Sequence, residues 1–104
     1  MWSDAVTIYR KTDGRLERTV CNNCRFEVKV ENEPNILGDG RKYRCFLAVP
    51  AGVSVQPGDW VAYGVGGEDV PQDAMALEYV KPCWLHGQLH HTEAGADNAG
   101  KKNF

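Results

Sequence analysis

Four cysteines and three histidines are the residues of this 104-residue chain with the widest chemical reach. Cys21-x-x-Cys24 and Cys83-x-x-His86 each have the spacing of a zinc half-site, since ligands three positions apart can turn toward one tetrahedral ion. Joined, the halves would complete a Cys3His site and a small zinc-stabilised β-module that binds protein or nucleic acid. The local context argues the other way. Asn22-Asn23 reads as a two-residue turn, and cysteines flanking such a turn face each other for purely local reasons. Neither half carries the glycine pattern of a zinc knuckle, and Cys45 falls on an apolar strand face as a small core residue. The first expectation is therefore reduced structural thiols, with no metal ligand and no cofactor assigned. Zinc at Cys21, Cys24, Cys83 and His86 is the alternative, and a Cys21–Cys24 disulfide or redox pair, without the βαβ setting of thioredoxin-like motifs, is the third.

His86, His90 and His91 invite an acid–base reading, which needs a carboxylate placed to orient the ring. Glu93 shares His91's face on a strand and not His90's. Ser3 and Ser54 lack a nucleophile elbow, and the glycines from Gly64 to Gly67 lack the Lys-Ser/Thr and helix of a phosphate loop. Nothing in the sequence resembles an enzyme site.

The elements that must carry these residues are strands. Val6 and Ile8 alternate against Thr7 and Tyr9; a turn centred on Asp13-Gly14 follows; Leu16, Arg18 and Val20 alternate against Glu17 and Thr19. After Asn22-Asn23 a third strand runs with Cys24, Phe26, Val28 and Val30 on one face. Residues 31–41 are rich in turn formers and read as one long loop, in which Ile36 and Leu37 either tuck back onto the domain or meet a partner. Lys42-Tyr-Arg-Cys-Phe-Leu-Ala-Val49 reads as the longest strand. Then comes Val55-Gln-Pro-Gly-Asp-Trp-Val-Ala-Tyr-Gly64. Pro57 and Gly58 suit the two central positions of a type II turn, Asp59 leads out of it, and Trp60 opens a strand as a core anchor. A strand from Leu77, a corner over 82–87 and a last short strand over 88–93 complete the domain. Residues 94–104 read as a flexible polar tail.

These signals predict an all-β domain over residues 1–93, a small barrel or sandwich of about six to seven antiparallel strands. A formal charge of −2 with scattered Lys and Arg gives no electrostatic footprint for nucleic acid or an anionic membrane. The amino-terminal residues lack the basic start and apolar run of a signal peptide, so a cytosolic origin is expected.

Three stretches together resemble the small minor-capsid or head–tail connector proteins of tailed bacteriophages and prophages. They are Val6-Thr-Ile-Tyr-Arg10 with the following strand ending in Arg18-Thr-Val20; Val55-Gln-Pro-Gly-Asp-Trp-Val61 after a strand ending in Val49-Pro50; and Trp84-Leu-His-Gly-Gln-Leu-His-His-Thr-Glu93. The resemblance spans residues 6–93. It implies a head-closure, stopper-like protein without enzymatic activity: a β-barrel forming a homo-oligomeric ring between the portal and adaptor and the tail, made in the host bacterial cytoplasm and then part of the virion, with no membrane contact. Isolated subunits of this kind can be monomers. It further implies that the 31–41 loop, with Asn35, Ile36, Leu37, Asp39 and Arg41, projects into the channel and touches packaged DNA. The Cys21 and Cys24 pair departs from that family's pattern.

Overall fold

The computed structural model describes residues 2–32 and 41–99. Seven strands are present: β1 (Asp4–Thr12), β2 (Arg15–Asn32), β3 (Arg41–Pro50), β4 (Trp60–Tyr63), β5 (Met75–Ala76), β6 (Tyr79–Leu85) and β7 (Gln88–Ala99). All neighbours pair antiparallel in the order β5-β4-β1-β2-β3-β7-β6. The sheet curls into a half-barrel.

Connectivity forces that curl. β5 and β6 stand at opposite ends of the strand order, yet only Leu77 and Glu78 separate them in sequence. Laid flat, six inter-strand spacings would hold them ~29 Å apart, whereas the three Cα steps from Ala76 to Tyr79 reach at most ~11 Å. The link is fastened on both sides. Leu77 exchanges backbone hydrogen bonds with the 56–59 turn (its N–H to the Asp59 carbonyl and Gly58 N–H to its own carbonyl, each 2.8 Å), and Glu78 N–H donates to the Gly95 carbonyl at 2.8 Å.

The inner face holds the main core: Val6 and Ile8 of β1, Cys24 and Phe26 of β2, Cys45, Leu47 and Val49 of β3, Val61 of β4, and Ala94 and Ala96 of β7, with Val55, Met75 and Leu77. β1 is buried on both faces, and a smaller cluster of Tyr9, Ala62 and Ala74 lies on its other side under Trp60 and Val70. Residues 64–70 strap that side down. Thr7 Oγ1 donates to the Gly64 carbonyl (2.8 Å) and accepts from Gly66 N–H (2.7 Å), Tyr9 OH donates to the Gly67 carbonyl (3.0 Å), and Arg18 donates to the Gly66 carbonyl. Trp60 is thus a half-buried cover for this outer cluster; Val61, fully buried, is the inward residue of its strand.

Several boundaries differ from the sequence reading: β2, not the strand over 42–49, is the longest, the strand expected from Leu77 is instead β5 before it and β6 from Tyr79, and three further differences have local causes. The two strands expected on either side of Asn22-Asn23 are one 18-residue strand with a β-bulge: Cys21 pairs with Val6 and Cys24 with Asp4, so β2 carries one residue more than β1 there. The bulge explains why the buried positions step by three between Cys21 and Cys24 and by two afterwards. Its kink is held by Asp4, whose carboxylate accepts from Phe26 N–H (3.0 Å) and Tyr63 OH (3.1 Å). Next, the expected corner over 82–87 is mostly strand. β6 runs through Pro82 because it is an edge, where the missing N–H interrupts no ladder, and the chain reverses only at His86 and Gly87, both at positive φ. Finally, β7 continues past Glu93 to Ala99, so residues 94–99, expected in a tail, are strand, and 100–104 lie outside the described residues. Ala94, Gly95 and Ala96 are buried, and small side chains are what this crowded seam admits: a Cβ at Gly95 would run into the Cys45 carbonyl and the Tyr79 ring.

Candidate functional site

The expected type II turn is present. Asp59 N–H donates to the Gln56 carbonyl at 3.1 Å across Pro57 and Gly58, and Gly58 has φ +93°. Its output is the placement of Asp59, which is 2% exposed. The Asp59 carboxylate accepts both Arg10 Nε (2.9 Å) and Nη2 (2.8 Å), and also Gln56 N–H (2.8 Å). A two-point guanidinium–carboxylate pair of this kind locks the turn to β1. The hydrogen bond to Asp59 raises the Arg10 pKa further above its usual value. The site is architectural, since Asp59 has no open side toward a substrate.

Of the residues expected in a projecting loop, Asn35, Ile36, Leu37 and Asp39 lie outside the described residues, and Arg41 is the first residue of β3. The strands on either side of those residues are β2 and β3. β2 and β3 stay in register from Arg25↔Ala48 out to Asn32↔Arg41, so residues 33–40 connect directly paired strand ends. The two faces of this hairpin differ in chemistry. Cys24, Phe26, Val28 and Val30 share one face of β2; the first two are buried, whereas Val28 is 46% and Val30 54% exposed. The opposite face carries Arg25 paired with Glu27 at 2.7 Å, then Lys29 opposite Arg44. A mostly apolar groove of about 240 Å³ between Phe26, Val28, Tyr43, Tyr63 and Met75, with Asp73 in its lining, continues the core face into the open. Trp84 (65% exposed) and Leu85 (54%) form a separate apolar tip on the β6–β7 hairpin.

The cysteines expected as a possible metal quartet do not converge. Cys21 and Cys24 are buried thiols beside the bulge; Cys24 Sγ donates to the Asp4 carbonyl (3.2 Å), and Cys21 Sγ to Asn23 Oδ1 (3.7 Å). Burial first, then the neighbouring Cys21 and Asp4, push the Cys24 thiol up to about 12, which keeps it protonated and a poor nucleophile or ligand. His86 is an exposed residue of the tight turn. Among the described residues, Cys83 finds other company: its Sγ clusters with His91 and Glu93.

The sequence reading placed Glu93 on His91's face, and His91 Nε2 lies 3.1 Å from Glu93 Oε2. It placed His90 on the opposite side, and here a second bulge intervenes. Cys83 pairs with His91 but Trp84 with Leu89, so His90 is the extra residue of β7, and its Nδ1 sits 2.7 Å from His91 Nδ1. Trp2 meets the His91 ring edge to face at 5.4 Å. The missed signal is modest: two adjacent histidines before a carboxylate on a strand opposite a cysteine, legible only once the pairing register is known.

Compared with models of known protein families, with curated proteins and with solved structures, the chain matches none.

Proposed function

We propose that this chain is a structural component of a tailed-phage or prophage virion, a head-closure protein that joins a ring of its own copies between the portal and adaptor and the tail. The observation that carries the reading is the β2–β3 hairpin, whose core-type face runs beyond the core as exposed Val28 and Val30. A β-sheet face that stays apolar after leaving its own core favours contact with another protein surface. The second apolar patch, Trp84 and Leu85, lies on a different hairpin, and a head-to-tail ring contact joins unlike patches of successive subunits in this way. In this reading the open end of the β2–β3 hairpin faces the channel and packaged DNA, and the curled sheet carries it.

Deletion of the gene from the phage or prophage that encodes it tests the proposal. Electron microscopy of lysates is expected to show separate tails and heads that have lost DNA, with tailed particles restored by the wild-type gene in trans. Normal yields of tailed, DNA-filled particles from the deletion would overturn it.

A further inference from the structure

We propose that Cys83, His91 and Glu93 form a binding site for one zinc ion on the β6–β7 hairpin, with ligands other than those the cysteine spacing suggests and independently of any role in a virion. The three offer a thiol sulfur, an imidazole nitrogen and a carboxylate oxygen, all within 4.8 Å of one another. Zinc bonds of ~2.0–2.3 Å at tetrahedral angles place ligand atoms ~3.3–3.7 Å apart, so side-chain adjustments of about 1 Å bring the set onto one ion. Mixed sulfur, nitrogen and oxygen donors suit zinc better than the all-oxygen demand of calcium or magnesium.

Cys83 and His91 are cross-strand partners, and Glu93 follows His91 by two residues on the same face, so the backbone ladder itself presents all three. His91 is oriented at both nitrogens. Nε2 faces Glu93 at 3.1 Å, and Nδ1 faces His90 Nδ1 at 2.7 Å, a separation that requires one N–H and one lone pair. With a proton on His91 Nε2, its Nδ1 accepts from His90. With zinc on Nε2, His91 Nδ1–H donates to His90, which then carries its own proton on Nε2. The imidazole pair keeps two protons throughout, and the Cys83 thiol proton is the one released to solvent. His90 is thus a positioning residue that fixes the ring, as the outer partners of metal-bound histidines do, and Trp2 packs across the ring from the amino-terminal segment. All three ligands are half-buried, which leaves the fourth position to water.

Zinc chloride titrated into the chelator-treated full-length protein is expected to bind one equivalent by calorimetry, and cobalt(II) in its place to give a near-ultraviolet thiolate-to-metal band. Cys83→Ser should abolish that band, His91→Gln and Glu93→Gln should each weaken binding at least tenfold, and His90→Ala should weaken it by about ten- to a hundredfold. His86→Asn, which changes the turn residue of the spacing motif, should leave affinity unchanged. Thermal unfolding in the absence of metal verifies that each variant is folded. Failure of the wild-type protein to bind stoichiometric zinc would overturn the site. So would a band that survives Cys83→Ser, or an affinity that falls with His86→Asn and not with His91→Gln.

Discussion

Asp59 shows how much one side chain can organise. Its carboxylate is buried, and three N–H groups converge on it from β1 and its own turn. Asp59→Ala would strand the Arg10 guanidinium, although Arg10 keeps some water contact at 24% exposure, so a loss near the low end of ~3–5 kcal/mol is expected in urea unfolding. Arg10→Met should cost more at neutral pH, because the carboxylate it leaves behind is only 3% exposed. Gly58 holds φ +93° in the same turn, and Gly58→Val is expected to lose ~1–3 kcal/mol to backbone strain. Gly66 is required for a different reason: a Cβ there would collide with the Tyr9 hydroxyl, which is itself committed to the Gly67 carbonyl. Gly66→Ala should therefore destabilise by ~1–3 kcal/mol as over-packing does, and Tyr9→Phe should cost less in that background than in the wild type. A double-mutant cycle measures the difference, and additive losses would show that the strap does not press on Tyr9.

At the scale of elements, the proposed head-closure role can be tested on the β2–β3 hairpin apart from stability. Val28→Asp with Val30→Asp alters half-exposed positions, so the thermal midpoint is expected to stay within a few degrees of wild type while complementation of a gene deletion fails. A double variant that restores tailed particles would show that this face makes no contact of consequence. The strands themselves were largely legible in the sequence. The Asp13-Gly14 hairpin, the type II turn, a strand over 42–49 and the period-two faces all followed from local chemistry, since alternation and positive-φ residues act within a few positions. What was not legible depended on partners. Asn22-Asn23 suits a turn as well as a bulge, and only the pairing of β1 with both halves of β2 decides between them. Pro82 reads as a strand breaker until the strand is known to be an edge. Ala94, Gly95 and Ala96 look like tail because their small size reveals no periodicity, yet that size is what lets β7 pass close to β3. The histidine cluster was half legible: Glu93 beside His91 followed from alternation, whereas His90 beside His91 needed a bulge.

For the molecule as a whole, the thiol of Cys24 links stability to alkaline pH. Its pKa rises from 9.0 to about 12 in the folded chain, chiefly through burial. The unfolded chain therefore loses this proton first, so stability is full below pH 9 and declines as pH rises toward 12. Tyr63, raised above 10.0 mainly by its hydrogen bond to Asp4, acts in the same direction. Denaturation profiles at pH 7, 9 and 10.5 are expected to show this decline, and Cys24→Ser to flatten it; an unchanged slope in the variant would assign the dependence elsewhere. The position of β1 in the sheet has a further consequence, for the order of events during synthesis. β1 is a central strand, flanked by β2 almost at once but by β4 only after some fifty more residues have been translated. Until Trp60–Tyr63 arrives, one full edge of β1 is an open template for other nascent chains. Closure further waits on β5 and β6, which Leu77 and Glu78 deliver together. The molecule is thus built to complete itself late and in one step, with pairing between distant segments setting its folding speed and crowded synthesis the moment at which it aggregates most readily.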